Sequence, residues 1–360
     1  MFHAILRAAG KTIRRPKATP VALSTRIRLA RNLNDFPFPG RAETSQRREV
    51  LSKCMGVLGD LRGMTDSVSS EMDDLSDLDK QILVEQHLIS PELSQANDGA
   101  GLVLSKDRTC CVMINEEDHL RIQVIRNGLD FGSVWKKANA LDVGIESNLD
   151  YAYDGDLGFL TACPTNLGTG LRASVMMHLP GLVMSKNMDK VVNAVNQLGI
   201  AVRGIFGEGS DASGSVFQIS NQQTLGESED DILERLSKTL AKVTEQELNA
   251  RSKLLEESPT RILDKVGRAL SILRGAWLMQ SAEGMDYLSL VRLAVDLGML
   301  PEKFRSIVDR LMIEIQPGHV QLSAERAVEP DDRDALRAEM LRKEFKKAPD
   351  PDFGKGGLTL

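Results

Sequence analysis

The stretch Leu160-Thr-Ala-Cys-Pro-Thr-Asn-Leu-Gly-Thr-Gly-Leu-Arg-Ala-Ser174 decides how the rest of the chain is read. Cys163 precedes a proline and a Gly-Thr-Gly, and Arg172 follows nine residues after the cysteine. Gly168 and Gly170 permit a tight turn or a close approach of backbone to ligand. Arg172 can set a planar fork of donors against a phosphate. Taken alone, the segment fits a site, and equally a surface loop with a buried thiol and a solvated arginine.

Outward from that loop the pattern is that of strands. Leu157 to Thr161 leads in, and Arg172 to Leu179 leads out with Ala173, Val175, Met177 and Leu179 on one side. Met188 to Leu198 reads as a helix, Ala201 to Phe206 as a strand and Ser215 to Ser220 as another. Between the last two strands, Gly207, Gly209 and Ala212 match GxGxxA as text. A dinucleotide site is rejected because that fingerprint needs a helix after its glycines, and Val216-Phe-Gln-Ile219 is strand-like. No GxxxxGK[ST] occurs, which excludes a P-loop.

Toward the N-terminus, Pro20 to Leu33 alternates with period two and reads as a strand. Ser24, Arg26 and Arg28 stand in a row on one face, roughly 7 Å apart at each step. Two arginines so spaced can grip neighbouring phosphates, although a solvated strand face gives the same pattern. Arg41 to Leu61 reads as an amphipathic helix, and Thr65 to Asp79 as a polar loop leading into a short helix. His87 follows and could stack on or bond to a ligand, though a lone histidine is more often structural. Gly101–Leu104, Thr109–Ile114 and Leu120–Ile125 read as strands, and Ser133–Ser147 as a helix. The turn Asn115-Glu-Glu-Asp-His119 holds three mutually repelling acids. A local rule broken without local gain is expected at a functional site, although a solvated acidic turn gives the same run. Ser228-Glu-Asp-Asp231 resembles a capping box. From there to Phe345 the period is helical, punctuated at Pro259, Gly284, Pro301 and Pro317.

Composition sets the outer bounds. A chain of 360 residues suggests roughly two domains. With 42% hydrophobic and 27% charged residues it is of ordinary globular type. The net charge of −6 argues against nucleic acid held by bulk charge. Any polyanion site must then be a local arginine cluster. Cys54, Cys110, Cys111 and Cys163 form no CxxC pair, so neither a metal site nor a disulfide framework is expected and a reducing cytoplasm is. No signal peptide and no membrane-spanning segment is expected.

The candidates converge on Ser24, Arg26, Arg28, His87, the run Asn115-Glu-Glu-Asp118, Arg121, Cys163, Arg172, Arg203 and Glu208. Five arginines exceed what one carboxylate needs and suit a triphosphate, whose transfer is catalysed by positioning and charge neutralisation. Two carboxylates and a thiolate suit a cationic acceptor. A guanidinium is barely nucleophilic because its pKa lies above roughly 12. To attack phosphorus it must be aligned and must lose a proton, and two acids on its nitrogens can do both.

At these residues the sequence resembles the ATP:guanidino phosphotransferases, the phosphagen kinases. The runs Ser24-Thr-Arg-Ile-Arg28, Asn115-Glu-Glu-Asp-His-Leu-Arg121, Cys163-Pro-Thr-Asn-Leu-Gly-Thr-Gly-Leu-Arg172 and Arg203-Gly204 match in order. The resemblance implies ATP with Mg2+, phosphates held by Arg26, Arg28, Arg121, Arg172 and Arg203, and help from Ser24 and His87. It implies that Glu117 and Glu208 clamp the guanidinium and that Cys163 lies beside it. The implied fold is α+β, an antiparallel sheet flanked by helices as in glutamine synthetase. Kinases of free creatine or arginine carry a helical domain before this core; with Ser24 so near the first residue that domain is not expected here, and an all-α region is expected to follow the core instead. That order is similar to the bacterial protein arginine kinases. Arg333-Asp-Ala-Leu-Arg-Ala338 matches their RDxxRA motif, which implies phosphoarginine binding by Arg333, Asp334 and Arg337. The expected layout is a catalytic domain over 1–249, a helical phosphoarginine-binding domain over 250–346 and a disordered tail over 347–360. The resemblance also implies protein substrates marked for degradation, a zinc-containing activator and an ATP-dependent protease, and leaves a homodimer open. A kinase of free arginine or another small guanidino compound and a non-catalytic phosphoarginine reader are the alternatives.

Overall fold

The computed structural model describes residues 20–96, 98–204, 213–324, 328–352 and 354. Its first element, β1 (Ala22–Arg31), shows why alternation predicts a strand: Thr25, Ile27 and Leu29 are fully buried on one face while Arg26 and Arg28 stand half-buried on the other. Helix α1 (Thr44–Asp60) follows, opened by a capping box in which Glu43 N–H donates to Gln46 Oε1 at 3.0 Å. Next come β2 (Val68–Glu71), α2 (Asp77–Glu85), α3 (Pro91–Gln95), β3 (Gly101–Leu104), β4 (Cys110–Ile114) and β5 (Leu120–Asn127). The region 65–79, read from sequence as a loop, therefore contains a strand. Its Val-Ser-Ser-Glu sequence is polar because β2 sits at the sheet's edge.

Helix α4 (Phe131–Glu146) is capped by Asp130, which accepts from Ser133 N–H at 3.0 Å. The short strands β6 (Tyr153–Asp154) and β7 (Gly158–Phe159) form a hairpin, so the expected strand over 157–161 shrinks to two residues. Then follow β8 (Leu171–His178), α5 (Pro180–Met184), α6 (Met188–Asn196), β9 (Ile200–Gly204) and β10 (Val216–Asn221). Val216–Asn221 is a strand, as the rejection of a dinucleotide site requires; the glycines Gly207 and Gly209 lie outside the described residues. The large sheet has the order β2-β3-β4-β5-β1-β8-β10-β9. The β2/β3, β3/β4, β4/β5 and β1/β5 pairings are antiparallel. Helices α1 and α4 pack on it. The remaining elements are α7 (Glu229–Glu257), α8 (Pro259–Gly275), α9 (Ser281–Asp296), α10 (Lys303–Glu314), α11 (Pro317–Ser323) and α12 (Pro330–Phe345).

The chain forms two compact units. The first holds the described residues up to Val175 together with Gly199–Ala201 and Ser220–Thr239. The second holds Met176–Leu198, the described part of Val202–Ile219 and the described residues from Leu240 on. The boundary expected near residue 250 falls inside α7, a helix of 29 residues. The second unit has a core of helical residues including Val266, Leu270, Leu288, Val291, Val308, Leu311, Leu341 and Phe345. Gly284 does not break a helix as expected. It lies within α9, where a Cβ would come within 3.0 Å of Ile315 Cδ1, so it allows close packing. The disorder expected over 347–360 does not hold for its first part. Ala348 is buried, Asp352 N–H donates to Met299 O at 2.8 Å, and Arg274 bonds Asp350 and Pro349 O. Among the described residues no helix is long and apolar enough to cross a membrane.

Candidate active site

Three adjacent strands, β5, β1 and β8, bring four arginines onto one sheet face. In the β1/β5 register Ala30 lies opposite Arg121 and Arg28 opposite Gln123, and such partners point to the same side. Arg26 Nε donates to Ser174 Oγ on β8 at 3.4 Å. Arg172, two residues before Ser174, donates through Nη2 to Ser220 Oγ at 3.4 Å. Burial lowers the Arg26 pKa to about 10, helped by the charges of Arg172 and Arg121. Burial, with Arg26, Arg121 and Arg172, pushes Arg28 well below its ordinary value, and Glu116 opposes the shift. An arginine does not give up its proton in a protein. The shifts therefore express like charges crowded together away from water. An incoming polyanion relieves that crowding.

Gln123 ties a further group to this face by donating to His87 O at 2.8 Å and to Leu88 O. His87 takes a left-handed φ of 57°. Burial, and then the charge of Arg26, pull its pKa down to about 4, so its imidazole is neutral at neutral pH. It can bond or stack on a ligand without adding a cation. Ser24 is buried at the start of the same row.

The acidic turn resolves into three separate roles. Glu116 is buried and accepts from Arg121 Nη1 at 2.7 Å, while burial raises its pKa against the pull of Arg121. Glu117 is 43% exposed and only loosely held, with Arg121 Nη2 at 3.4 Å. Asp118 is 2% exposed and turned inward, accepting from Asn32 Nδ2 at 2.6 Å and Ala162 N–H at 2.7 Å. Asn115 starts the turn at φ 56° and donates to Arg47 O and Gly99 O, each at 2.7 Å. Of the three acids, Glu117 is the one open to an acceptor.

The loop read first in the sequence is fixed by contacts that only glycine allows. At Gly168, φ is 102° and a Cβ would sit 2.4 Å from Thr224 O. At Gly170, φ is 61° and a Cβ would meet Ala30 O and Arg31 Nη1, each at 2.6 Å. Arg31 is 1% exposed and grips Asp142 on α4 with Nε at 3.2 Å and Nη2 at 2.7 Å. Its Nη1 donates to Ala30 O and Thr169 O, both at 2.9 Å, and its guanidinium lies over Phe159. Cys163 is partly exposed, with Sγ 3.0 Å from Thr165 Oγ1, whereas Cys54, Cys110 and Cys111 are buried.

The structure thus gathers Ser24, Arg26, Arg28, Arg121 and Arg172 with Glu116, brings the His87 backbone to the same face, and joins Glu117 to that face through Arg121. The Ala162 N–H bond links the Cys163 loop to the acidic turn. Arg203 lies exposed at the end of β9 in the second unit, and Glu208 lies outside the described residues. Sequence reading missed Glu116, Asp118, Asn32 and Arg31 as separate parts. Glu116 and Asp118 were visible only as members of an acidic run, and nothing local marks Asn32. On α12, Arg337 is 2% exposed and donates to Ile315 O at 2.6 Å, Met279 O at 2.7 Å and Asp334 Oδ1. Arg333 and Asp334 are half-buried.

Comparison with known proteins identifies the family. Residues 49–250 match the ATP:guanido phosphotransferase C-terminal catalytic domain. Residues 259–356 match the protein-arginine kinase McsB C-terminal domain. The chain is 41% identical to a protein-arginine kinase of Halothermothrix orenii over 89% of this chain and 92% of that protein. It is 43% identical to a protein-arginine kinase of Bacillus subtilis over 89% of each. Among solved structures it is similar to the duplicated taurocyamine kinase of Schistosoma mansoni with bound transition-state-analogue components. That match has a TM-score of 0.60, 25% identity, and covers 74% of this chain and 42% of that one. It is also similar to a lombricine kinase, with a TM-score of 0.56 and 25% identity over 71% of this chain and 77% of that one.

Proposed function

We propose that this chain, which belongs to the ATP:guanido phosphotransferase family, is a protein-arginine kinase that moves the γ-phosphoryl group of ATP onto arginine side chains of proteins. The observation that carries this reading is the face where Arg26, Arg28, Arg121 and Arg172 crowd together, with the buried Glu116 bonded to Arg121 and the open Glu117 at its edge. The arginines bind the triphosphate and neutralise the charge that spreads over the transferring group. By resemblance alone, phosphate contact is proposed for Arg203 and guanidinium contact for Glu208. A guanidinium nitrogen attacks the γ-phosphorus, the bond to the bridging oxygen of ADP breaks, and Glu117 accepts the proton released from nitrogen. Cys163 borders the guanidinium from the opposite loop. The donor set of this face is cationic and fits phosphates. Magnesium is therefore proposed to arrive on the nucleotide.

The helical region carries the proposed phosphoarginine site at Arg333, Asp334 and Arg337. Arg337, with its donors on carbonyls, supports that site from beneath while Asp334 and Arg333 face the ligand. A cytoplasmic location, a zinc-containing activator, an ATP-dependent protease and the marking of proteins for degradation belong to the same proposal and rest on resemblance alone. The test is mass spectrometry, under neutral handling, after incubation with ATP and magnesium of an unfolded arginine-rich protein or of free arginine. Phosphoarginine on the protein is expected. Phosphorylation of free arginine only would overturn the protein-kinase reading in favour of a small phosphagen kinase.

A further inference from the structure

We propose that Asn32 and Asp118 form a clasp that holds Glu117 and Cys163 in fixed relation, making Asp118 a positioning residue for phosphoryl transfer. The inference rests on the reading that an acceptor guanidinium lies between Glu117 and Cys163. Asp118 follows Glu117 directly, yet its side chain points away from solvent and is 2% exposed. One oxygen, Oδ1, takes two short bonds, from Asn32 Nδ2 at 2.6 Å and from Ala162 N–H at 2.7 Å. Ala162 is the residue before Cys163, so this one oxygen joins the backbone beside each flank of the acceptor. Asn32 is 1% exposed and extends the link. Its Nδ2 also donates to Leu160 O at 3.0 Å, and its Oδ1 accepts from His119 N–H at 2.9 Å. The acidic turn and the cysteine loop are thereby both stitched to the end of β1, the strand that carries Arg26 and Arg28.

The far side of the turn is pinned as well. Leu33 N–H donates to His119 Nδ1 at 3.0 Å, so Nε2 carries the ring proton and donates it to Pro37 O at 3.1 Å. The other oxygen of Asp118, Oδ2, is buried and has no hydrogen-bond partner among the described residues. Here both clasp bonds fall on Oδ1, which an asparagine also possesses. The acceptor geometry, not the charge, is what the site uses. Misplacing a catalytic group by about 1 Å costs on the order of 10²-fold in rate.

The experiment compares Asp118→Ala, Asp118→Asn and Asn32→Ala in the full chain. It measures kcat, KM for ATP, thermal unfolding, and the rate at which iodoacetamide labels Cys163, with the buried Cys54, Cys110 and Cys111 as internal controls. Asp118→Ala is expected to lower kcat on the order of 10²-fold with KM for ATP little changed, and to change the labelling rate of Cys163. Asp118→Asn is expected to restore both. Asn32→Ala, which keeps the Ala162 bond, should show the same changes in smaller degree, and it carries the test if Asp118→Ala does not fold. An Asp118→Asn enzyme as slow as Asp118→Ala would overturn the proposal by showing that the charge acts in the chemistry. Unchanged labelling and turnover in Asp118→Ala and Asn32→Ala would also overturn it. Labelling does not depend on phosphoryl transfer. A clasp effect on Cys163 in a protein that phosphorylates no arginine would leave the clasp standing and reject the functional reading.

Discussion

Glu116 and Glu117 are adjacent and chemically identical, and replacing each by glutamine should break different things. Glu116 is buried, with its Oε1 2.7 Å from Arg121 Nη1. Among the described residues, neutralising it leaves Arg121 beside Arg26, Arg28 and Arg172 with the 3.4 Å contact to Glu117 as its remaining ion pair. A buried charge-assisted bond contributes about 1.5–3 kcal/mol. Some of that loss is offset, because burial already penalises the Glu116 carboxylate. Glu116→Gln should therefore lower the stability of the free protein by about 2 kcal/mol, and ATP should restore much of it by supplying the missing negative charge. Glu117 is 43% exposed, and an exposed pair contributes only about 0–1 kcal/mol. Glu117→Gln should melt almost like the parent yet lose on the order of 10²-fold in kcat, since an amide cannot take the guanidinium proton. Thermal unfolding with and without ATP, alongside steady-state turnover, reads both effects. Near-normal turnover in Glu117→Gln, or a larger melting loss there than in Glu116→Gln, would refute the assignment of roles.

Gly170→Ala should destabilise the protein by about 3 kcal/mol and raise KM for ATP, because a left-handed alanine is strained and its Cβ would displace Arg31 from two carbonyls; wild-type melting in that variant would contradict the account. Arg337→Ala should cost about 3 kcal/mol through the loss of bonds to Ile315 O and Met279 O, seen as a lower unfolding midpoint, whereas Arg333→Ala should weaken phosphoarginine binding in calorimetry while leaving that midpoint in place. Stability should also fall on acidification. The ring of His119 is held by burial at about 4 against an ordinary 6.5, so below 6.5 the unfolded chain binds a proton that the folded one refuses. Between pH 7 and pH 5 this amounts to about 2 kcal/mol from one such site, and denaturant titrations of His119→Gln should show a flatter pH dependence than the parent.

Much of the local layout of the candidate site is legible in the sequence. Period-two alternation places Arg26 and Arg28 on one face of β1 because strand side chains must alternate, and that holds wherever the strand pairs. The two glycines announced a loop that no other residue could form, and the structure gives the reason at Thr224 O and Ala30 O. The helical run after Ser228 was equally plain, since its apolar spacing is local. What the sequence could not assign was the division of labour within a run. Three consecutive acids look alike until tertiary contacts turn one toward Arg121, leave one open and bury the third against Asn32, a residue 86 positions away. The strand at Val68–Glu71 stayed hidden because an edge strand buries little and so carries no apolar period. The helix across residue 250 hid the expected domain boundary in the same way, for a composition shift locates a change of packing partners and not a break in the backbone. Arg337 marks the limit most clearly. Its spacing from Arg333 put both on one helix face, but only the packed carbonyls of Ile315 and Met279 decide that its guanidinium is spent inside the protein. Local periodicity is set by bonds along the chain and can be read from order alone. The partner of a buried charge is set by whichever distant group fills its coordination, and that is fixed only when the chain has folded.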